Sequence, residues 1–410
     1  MRCDAVIVGG GPAGASTAIR LARRGLDVCV IDRSRFPRPK ACGEFLSPGA
    51  TPILEELGVR EAVDAAGARR LARVRIVAHG AEVELDFPDD AGAPPWGYSL
   101  SRGRLDAILI EAARAAGARV VEGAVVDEVR VERDRAVVRA RAANGDAPRD
   151  AVGIEARLVV GAGGRNCPVA RALGVQRRDR RGRFDLLAHW SGAEPAPTTT
   201  SFCELRVRGN HYVAVAPVES GRWNVNCVVP RSAIRAEPDV QALYRRVVGS
   251  DMPAAAGAPC EEVVASDVTP LKVTRASGDR AILVGDAALF LDPFTGQGIY
   301  LALRSAALAA ETIVTAFERG RTDGVSLAGY DRAREREFAA RRRVSRSLQG
   351  VLFRPGPART LVHALGRDRR LARTLAAATG DLVPSERVWS LLYAAALVAA
   401  SVRSIPQNRT

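Results

Sequence analysis

Apolar residues fall into three patterns along the chain: unbroken aliphatic runs, strict alternation, and stripes at helical spacing. The run Ala5–Val8 predicts a strand buried on both faces. A helical stretch from Ala13 to Arg24 follows, with Gly25 as its stop. A second buried strand, Val28–Ile31, then completes a βαβ opening. Residues 33–50 carry three prolines and no periodicity and read as a loop, with a helix expected over Gly49–Leu57. Alternation over 72–88 predicts a two-stranded ribbon turning at His79-Gly80. Leu105, Ile108, Leu109, Ala112 and Ala113 recur on one face of a helix over Arg102–Ala116. Strands are expected at 118–122, 125–131, 135–142 and Leu158–Val160, with a turn at 143–153.

The pattern changes over 185–229, where short alternating strands predict an antiparallel sheet with one solvated or cavity-facing side. A helix over Val240–Val248, a strand at Ala281–Val284 and a long apolar helix come next. Residues 331–410 show helices and no strand signal. The fold class is therefore α/β: a Rossmann-like domain opened by the βαβ unit and interrupted by an inserted antiparallel sheet, with a helical C-terminal region. The expected division is 1–75, 98–175 and 268–330 for the Rossmann-like domain, 76–97 and 176–267 for the inserted sheet, and 331–410 for the helices. The apolar run Val388–Val402 is too short to span a bilayer. It reads as a buried helix or as a docking and entry element for a greasy molecule.

Composition narrows the class. The seven cysteines include no CxxC pair, which argues against a disulfide framework or zinc site and fits a reducing cytoplasm. No leader is expected ahead of the first strand. The net charge of +14 comes almost wholly from arginine, since Lys40 and Lys272 are the only lysines. Aromatic residues do not interleave with the arginines, so no nucleic-acid partner is expected. The basic stretch 332–346 reads as a solvated helix face, with peripheral membrane contact as its functional alternative.

The chemistry lies in two distant segments and one loop. Gly9, Gly11 and Gly14 form GxGxxG between the first strand and its helix. Gly9 permits the turn, Gly11 lets the backbone approach a pyrophosphate, and Gly14 lets helix and strand pack closely. Asp32 stands 18 residues beyond Gly14, where a carboxylate can accept from a ribose. Gly285-Asp286 ends an aliphatic strand, and Gly296-Gln297-Gly298 heads a helix. A strand-end carboxylate can hold a sugar-alcohol chain, and a glycine-lined helix start can place N–H groups on a ring that becomes anionic on reduction.

With these residues the chain resembles the FAD-dependent family of p-hydroxybenzoate-hydroxylase (GR2) fold, and within it the geranylgeranyl reductase branch. The resemblance spans residues 4–300. It implies FAD held by Gly9, Gly11, Pro12, Ala13, Gly14, Asp32 and Arg33. Arg102, in SLSRGRLDAIL, is implied near the cofactor phosphates, and the Val126 backbone at adenine. Gly285 and Asp286 are implied on the ribityl chain, with Pro293, Gly296, Gln297 and Gly298 lining the isoalloxazine. The loop PRPKACGEFLSP resembles the reductase branch, where this cysteine lies beside the flavin. Cys42 can then be a proton relay or redox partner and Glu44 a general acid or base; packing and loop capping are the plain alternatives.

Three departures are visible. Gly161-Ala162-Gly163-Gly164 lacks the carboxylate of the hydroxylases' GADG. Tyr212, Ala214, Ala216 and Pro217 stand where the reductases carry Y–x–W–x–F–P, which implies a wider cavity. The W–x–W–x–I–P strand and lysine of halogenases are absent. His189, His211 and Asn226 share the substrate sheet with Tyr212, Ala214 and Ala216 and are candidate cavity residues; no metal site is expected.

The resemblance implies an oxidoreductase acting on a hydrophobic small molecule: an isoprenoid, polyketide or lipid. C=C reduction by hydride transfer from reduced flavin is the first reading, with NAD(P)H as donor. A monooxygenase working through a flavin hydroperoxide is the alternative. A non-enzymatic carrier of prenylated partners is remote, because both cofactor motifs are intact.

Overall fold

The computed structural model describes residues 1–89, 93–143, 152–178, 182–191, 202–252 and 260–389. Its first sheet has eight strands. Arg2–Val8 lies at the centre, parallel to Val28–Ile31 on one side and to Val152–Gly161 on the other. Arg119–Val121 and Ala281–Leu283 continue the parallel order outward. The Val152–Gly161 strand runs well beyond the expected Leu158–Val160. Its N-terminal half pairs antiparallel with Ala136–Ala142, which hairpins with Ala124–Val131. Val6, Ile7, Val30, Leu158 and Ile282 are fully buried, so both faces of the sheet are covered. The helix Pro12–Ala22 packs on this sheet and touches both Arg102–Ala115 and Gly298–Glu318. Gly298–Glu318 is the one described helix long and apolar enough to cross a membrane, but 67% of its most apolar window is buried inside the protein.

The second sheet has seven strands, ordered Val264–Asp267, Arg183–Trp190, Trp223–Pro230, His211–Pro217, Phe202–Arg208, Arg73–Ala78 and Ala81–Asp86. It is antiparallel as expected, except where Phe202–Arg208 pairs parallel with Arg73–Ala78 and joins the ribbon to the rest. The ribbon turns at His79 and Gly80, both at positive φ (50° and 85°), as a tight two-residue hairpin requires. Two expected domain boundaries fall within single elements. Residue 75/76 falls inside Arg73–Ala78, and 330/331 falls inside the helix Gly324–Leu352. In both places the element runs on across the domain junction, and periodicity cannot show that. A three-stranded sheet of Phe45–Leu46, Gly97–Ser99 and Arg69–Leu71 was not expected, since its strands are too short to alternate.

The helices Gly324–Leu352, Pro355–Arg367 and Arg369–Thr379 close over one face of the second sheet. Helix Val240–Asp251 covers the opposite face. Apart from Val388 and Trp389, the apolar run Val388–Val402 lies outside the described residues.

Candidate active site

The fold brings the two distant glycine segments into contact. At Gly9 φ is 109°, and a Cβ there would stand 2.4 Å from the Ala162 carbonyl oxygen. A Cβ on Gly14 would stand 1.8 Å from the oxygen of Gly9, so only glycine allows this turn to close. Gly11 caps the N-terminus of the helix, with Pro12 and then Ala13 as its first buried residues. The face of Gly11 looks out on the guanidinium groups of Arg38 and Arg102, 3.6 and 3.7 Å from where a Cβ would be. Free helix N–H groups opposite two arginines form a cradle for an anion.

Asp32 is buried at the end of its strand, where it accepts from Gly10 N at 2.7 Å and Ser34 N at 2.8 Å. Its remaining lone pairs are available to a ribose. Arg33 beside it is exposed, and Val126 is buried in the Ala124–Val131 strand. Gly285, at φ 58°, sits against Ala13, and its N–H is held by Ser305 Oγ at 2.9 Å. Asp286 follows in a turn. Its carboxylate has no hydrogen-bond partner among the described residues, while Arg165, Lys40 and Arg102 surround it. Burial raises its pKa, and these three cations only partly offset that. An unpartnered carboxylate in a cleft that also presents a phosphate cradle fits the hydroxyl-bearing chain of FAD. The GxGxxG turn and the flanking arginines fit the FAD pyrophosphate.

Pro293–Thr295 forms a short turn, Gly296 adopts φ 69°, and Gly298 opens its helix with nothing within 4 Å of its face. Gln297 does not point its side chain into this space. Its amide nitrogen donates to Asp381 Oδ1 at 2.6 Å, which leaves its backbone to line a cofactor. Asp381 also accepts from Ser47 Oγ at 2.7 Å and Arg341 Nε at 2.9 Å, tying the glycine turn to the helical region. Burial raises the Asp381 pKa to about 6, with Arg341, Ser47 and Gln297 opposing. Nothing in the sequence singled it out.

The loop before Phe45 joins the two halves of the site. Glu44 is buried in the left-handed region, φ 54°. Its Oε1 accepts from Arg102 N at 2.9 Å. Its Oε2 accepts from Asn224 Nδ2 at 2.8 Å and pairs with His189 Nε2 at 2.8 Å. Of the two readings for Glu44, this geometry favours the anchor: both oxygens are engaged in pinning the loop to the substrate sheet and to the Arg102 helix. Burial lowers the His189 pKa, but the Glu44 carboxylate outweighs it and the net shift is upward. Cys42 is half-buried, with its Sγ accepting from Glu44 N at 3.4 Å. Burial pushes the thiol up and the Arg102 charge opposes without prevailing, so Cys42 is a protonated thiol at neutral pH rather than a reactive thiolate. Arg102 itself is locked by two 2.8 Å bonds to Asp106.

Pairing register sorts the substrate sheet. Tyr212, Ala214 and Ala216 stand opposite Val228, Asn226 and Asn224, on the same face as Asp185, Leu187 and His189. His211 is one residue out of step and turns away from the cavity, where its Nε2 bonds Asp251 at 2.9 Å. It is therefore withdrawn as a cavity residue. Tyr212 donates to Asp292 at 2.8 Å and packs edge-on against Phe294. Beyond it opens an apolar cavity. Ala214, Ala216 and Asn226 form one wall, Gly43, Phe45, Pro293 and Gly296 the floor, and Leu352, Leu361 and Leu375 the roof. The sequence reading missed the roof, because helices remote in the chain supply it. Among the described residues no cluster suits a metal ion.

Comparison with known proteins agrees with this geometry. Residues 2–346 match the family described as FAD binding domain. The chain is 32% identical over 322 residues to the menaquinone reductase of Mycobacterium tuberculosis, covering 76% of each. It is 30% identical over 341 residues to the digeranylgeranylglycerophospholipid reductase of Methanothrix thermoacetophila, covering 81% of this chain and 83% of that one. The structure of CmlS, a flavin-dependent halogenase, superposes with a TM-score of 0.78 at 25% identity over 98% of this chain and 77% of that one.

Proposed function

Since the chain belongs to the FAD-binding domain family and is an FAD-dependent oxidoreductase, we propose that it reduces a carbon–carbon double bond in a long apolar substrate of isoprenoid type. The observation that carries this reading is the cavity. It is walled by aliphatic and aromatic side chains, roofed by helices, and floored by the Pro293–Gly296 turn that continues into the cofactor cleft. A chain buried there is held by area rather than by hydrogen bonds, at about 25 cal/mol per Å² of apolar surface covered.

FAD, when bound, supplies the two-electron chemistry. Gly11 and the helix N-terminus would hold its pyrophosphate with Arg38 and Arg102, Asp32 its ribose and Asp286 its hydroxyl-bearing chain. The protein's own part is to exclude water, to align the double bond over the Gly296 turn, and to keep a proton on Cys42 Sγ for delivery to the substrate carbon. NAD(P)H is the electron donor in this reading. Substrate is collected at a lipid surface, with exposed Arg354, Arg359, Arg369 and Arg370 on the roof side facing anionic headgroups.

The oxygenase alternative draws on Ala214 and Ala216, which widen the wall beyond what a single chain needs. Halogenation is not proposed. The chain has only two lysines, and Lys40 lies beside Asp286 in the cofactor cleft rather than in the cavity. The test is an anaerobic incubation of the dithionite-reduced enzyme with menaquinone or a geranylgeranylated lipid. A product heavier by H2 and re-oxidised flavin are expected. Absence of product without oxygen, with an oxygenated product in air, overturns the reductase reading.

A further inference from the structure

Two neighbouring carboxylates lie beside the cavity, Asp185 buried and Asp292 half-buried, and their partners differ. Asp292 accepts from Tyr212 OH at 2.8 Å and from Phe294 N at 3.2 Å, with Arg183 Nε at 3.7 Å. Among the described residues Asp185, 4% exposed, meets only the side-chain amide of Asn226, one end of which lies 3.1 and 3.3 Å from its two carboxyl oxygens. Of two adjacent acids, the proton goes to the one with fewer donors.

The hydrogen-bond directions require the same assignment. Asn224 Nδ2 donates to Cys42 O at 2.9 Å and to Glu44 Oε2 at 2.8 Å, which fixes that amide and leaves its Oδ1 as an acceptor. Asn226 Nδ2 must then donate to Asn224 Oδ1, so Asn226 turns its own Oδ1 toward Asp185. Oxygen facing a carboxylate is repulsive; oxygen facing a carboxylic acid accepts its proton. An ionised Asp185 instead draws Asn226 Nδ2 to itself and sets two amide oxygens against each other at Asn224.

We propose that Asp185 is a positioning residue that acts as a proton-held latch. Protonated, it donates to Asn226 and fixes the direction of the amide chain that seats the Cys42–Glu44 loop; ionised, it reverses Asn226 and frees that loop beside the cavity. The proton is exchanged with solvent and no other bond changes. The groups facing Asp185 are Asp292 from the segment before Pro293, Arg165 from the turn after Gly161, and the Tyr212 phenol. Cys227 and Tyr244, across the sheet, are held neutral by burial. Burial and Asp292 together push the Asp185 pKa up to about 7 against the pull of Arg165, which places the switch near neutrality.

The latch concerns the same cleft as the proposed reductase, but its test reads loop protection rather than turnover, so either can fail alone. Hydrogen exchange of the full-length protein is followed in the peptides spanning Cys42–Phe45 and Leu100–Arg102, corrected for the intrinsic pH dependence. Protection is expected to fall about tenfold from pH 6 to pH 8, as the protonated fraction does across a pKa near 7. Asp185→Asn, which donates permanently, should hold protection high at both pH values. A flat wild-type profile overturns the latch, and needs no variant to fold. An equal fall in Asp185→Asn also overturns it and transfers the titration to His189.

Discussion

A Cβ built on Gly285 would stand 2.8 Å from the Cβ of Ala13, two residues 272 positions apart that close the cofactor cleft from opposite ends of the nucleotide domain. The contact is tight and the backbone at Gly285 is left-handed. Gly285→Ala therefore meets both strain and collision and should cost more than about 1 kcal/mol. The melting temperature and the flavin-to-protein ratio of the purified variant are both expected to drop. An unchanged ratio would mean the two segments need not touch for FAD to bind.

Asp286→Ala separates cofactor binding from folding. The carboxylate has no hydrogen bond from the described residues and its pKa is raised, so removing it takes nothing stabilising from the flavin-free protein. FAD affinity is expected to fall by about tenfold or more, while the melting temperature of the flavin-stripped variant stays level or rises. Fluorescence titration with FAD and calorimetry of the stripped protein read the two quantities. Retained affinity would place the carboxylate outside the cofactor's reach.

Much of this site was legible because glycine and aspartate at strand ends report local backbone geometry. GxGxxG, Asp32 and Gly285-Asp286 could be placed from a few neighbouring residues each, and so could the His79-Gly80 turn. Long-range pairing was not legible. His211 looked equivalent to Tyr212 until the ladder register separated their faces. The Gln297 amide gave no sign of its bond to Asp381, 84 residues away. Asp185 gave no signal, since an aspartate in an alternating strand is ordinarily solvated. Its burial depends on Asn226 and Asp292, which reach it from other strands and loops.

The pair of Glu44 and His189 makes a pH prediction. His189 has its folded pKa raised above the unfolded value by the carboxylate, after the opposing effect of burial. Its contribution to stability is therefore full below the unfolded value of about 6.5 and fades as pH rises through the folded value. Glu44→Gln removes the charge, so the His189 pKa should fall, and the stability gap between wild type and variant should be larger at pH 6 than at pH 8. NMR titration of the His189 ring and urea melts at the two pH values check this. A His189 pKa unmoved by the substitution would show that the pair does not couple in solution.

Cys42→Ser tests the proton held at Sγ. A thiol whose pKa burial raises is protonated at neutral pH, and serine fills the same space with a far weaker acid. In the reductase reading, flavin content should stay near normal while turnover with a polyprenylated substrate slows by about tenfold or more. Iodoacetamide should label wild-type Cys42 slowly at pH 7. Unchanged turnover in the serine variant would make this cysteine a packing residue, and rapid labelling would show that burial does not hold its thiol protonated.

Ala214 and Ala216 are the two positions where a large side chain would refill the wall of the cavity. Both line the cavity on the wall opposite Leu352 and Leu361. Ala214→Trp should therefore leave FAD binding and the visible flavin spectrum intact while displacing a bulky substrate. The affinity for a geranylgeranylated lipid is expected to fall by at least about tenfold, equivalent to about 1.4 kcal/mol. A short-chain analogue that occupies only the floor near Gly296 should lose much less. Equal losses for long and short substrates would mean the variant distorts the sheet, and a long substrate bound as tightly as before would place its chain outside this cavity.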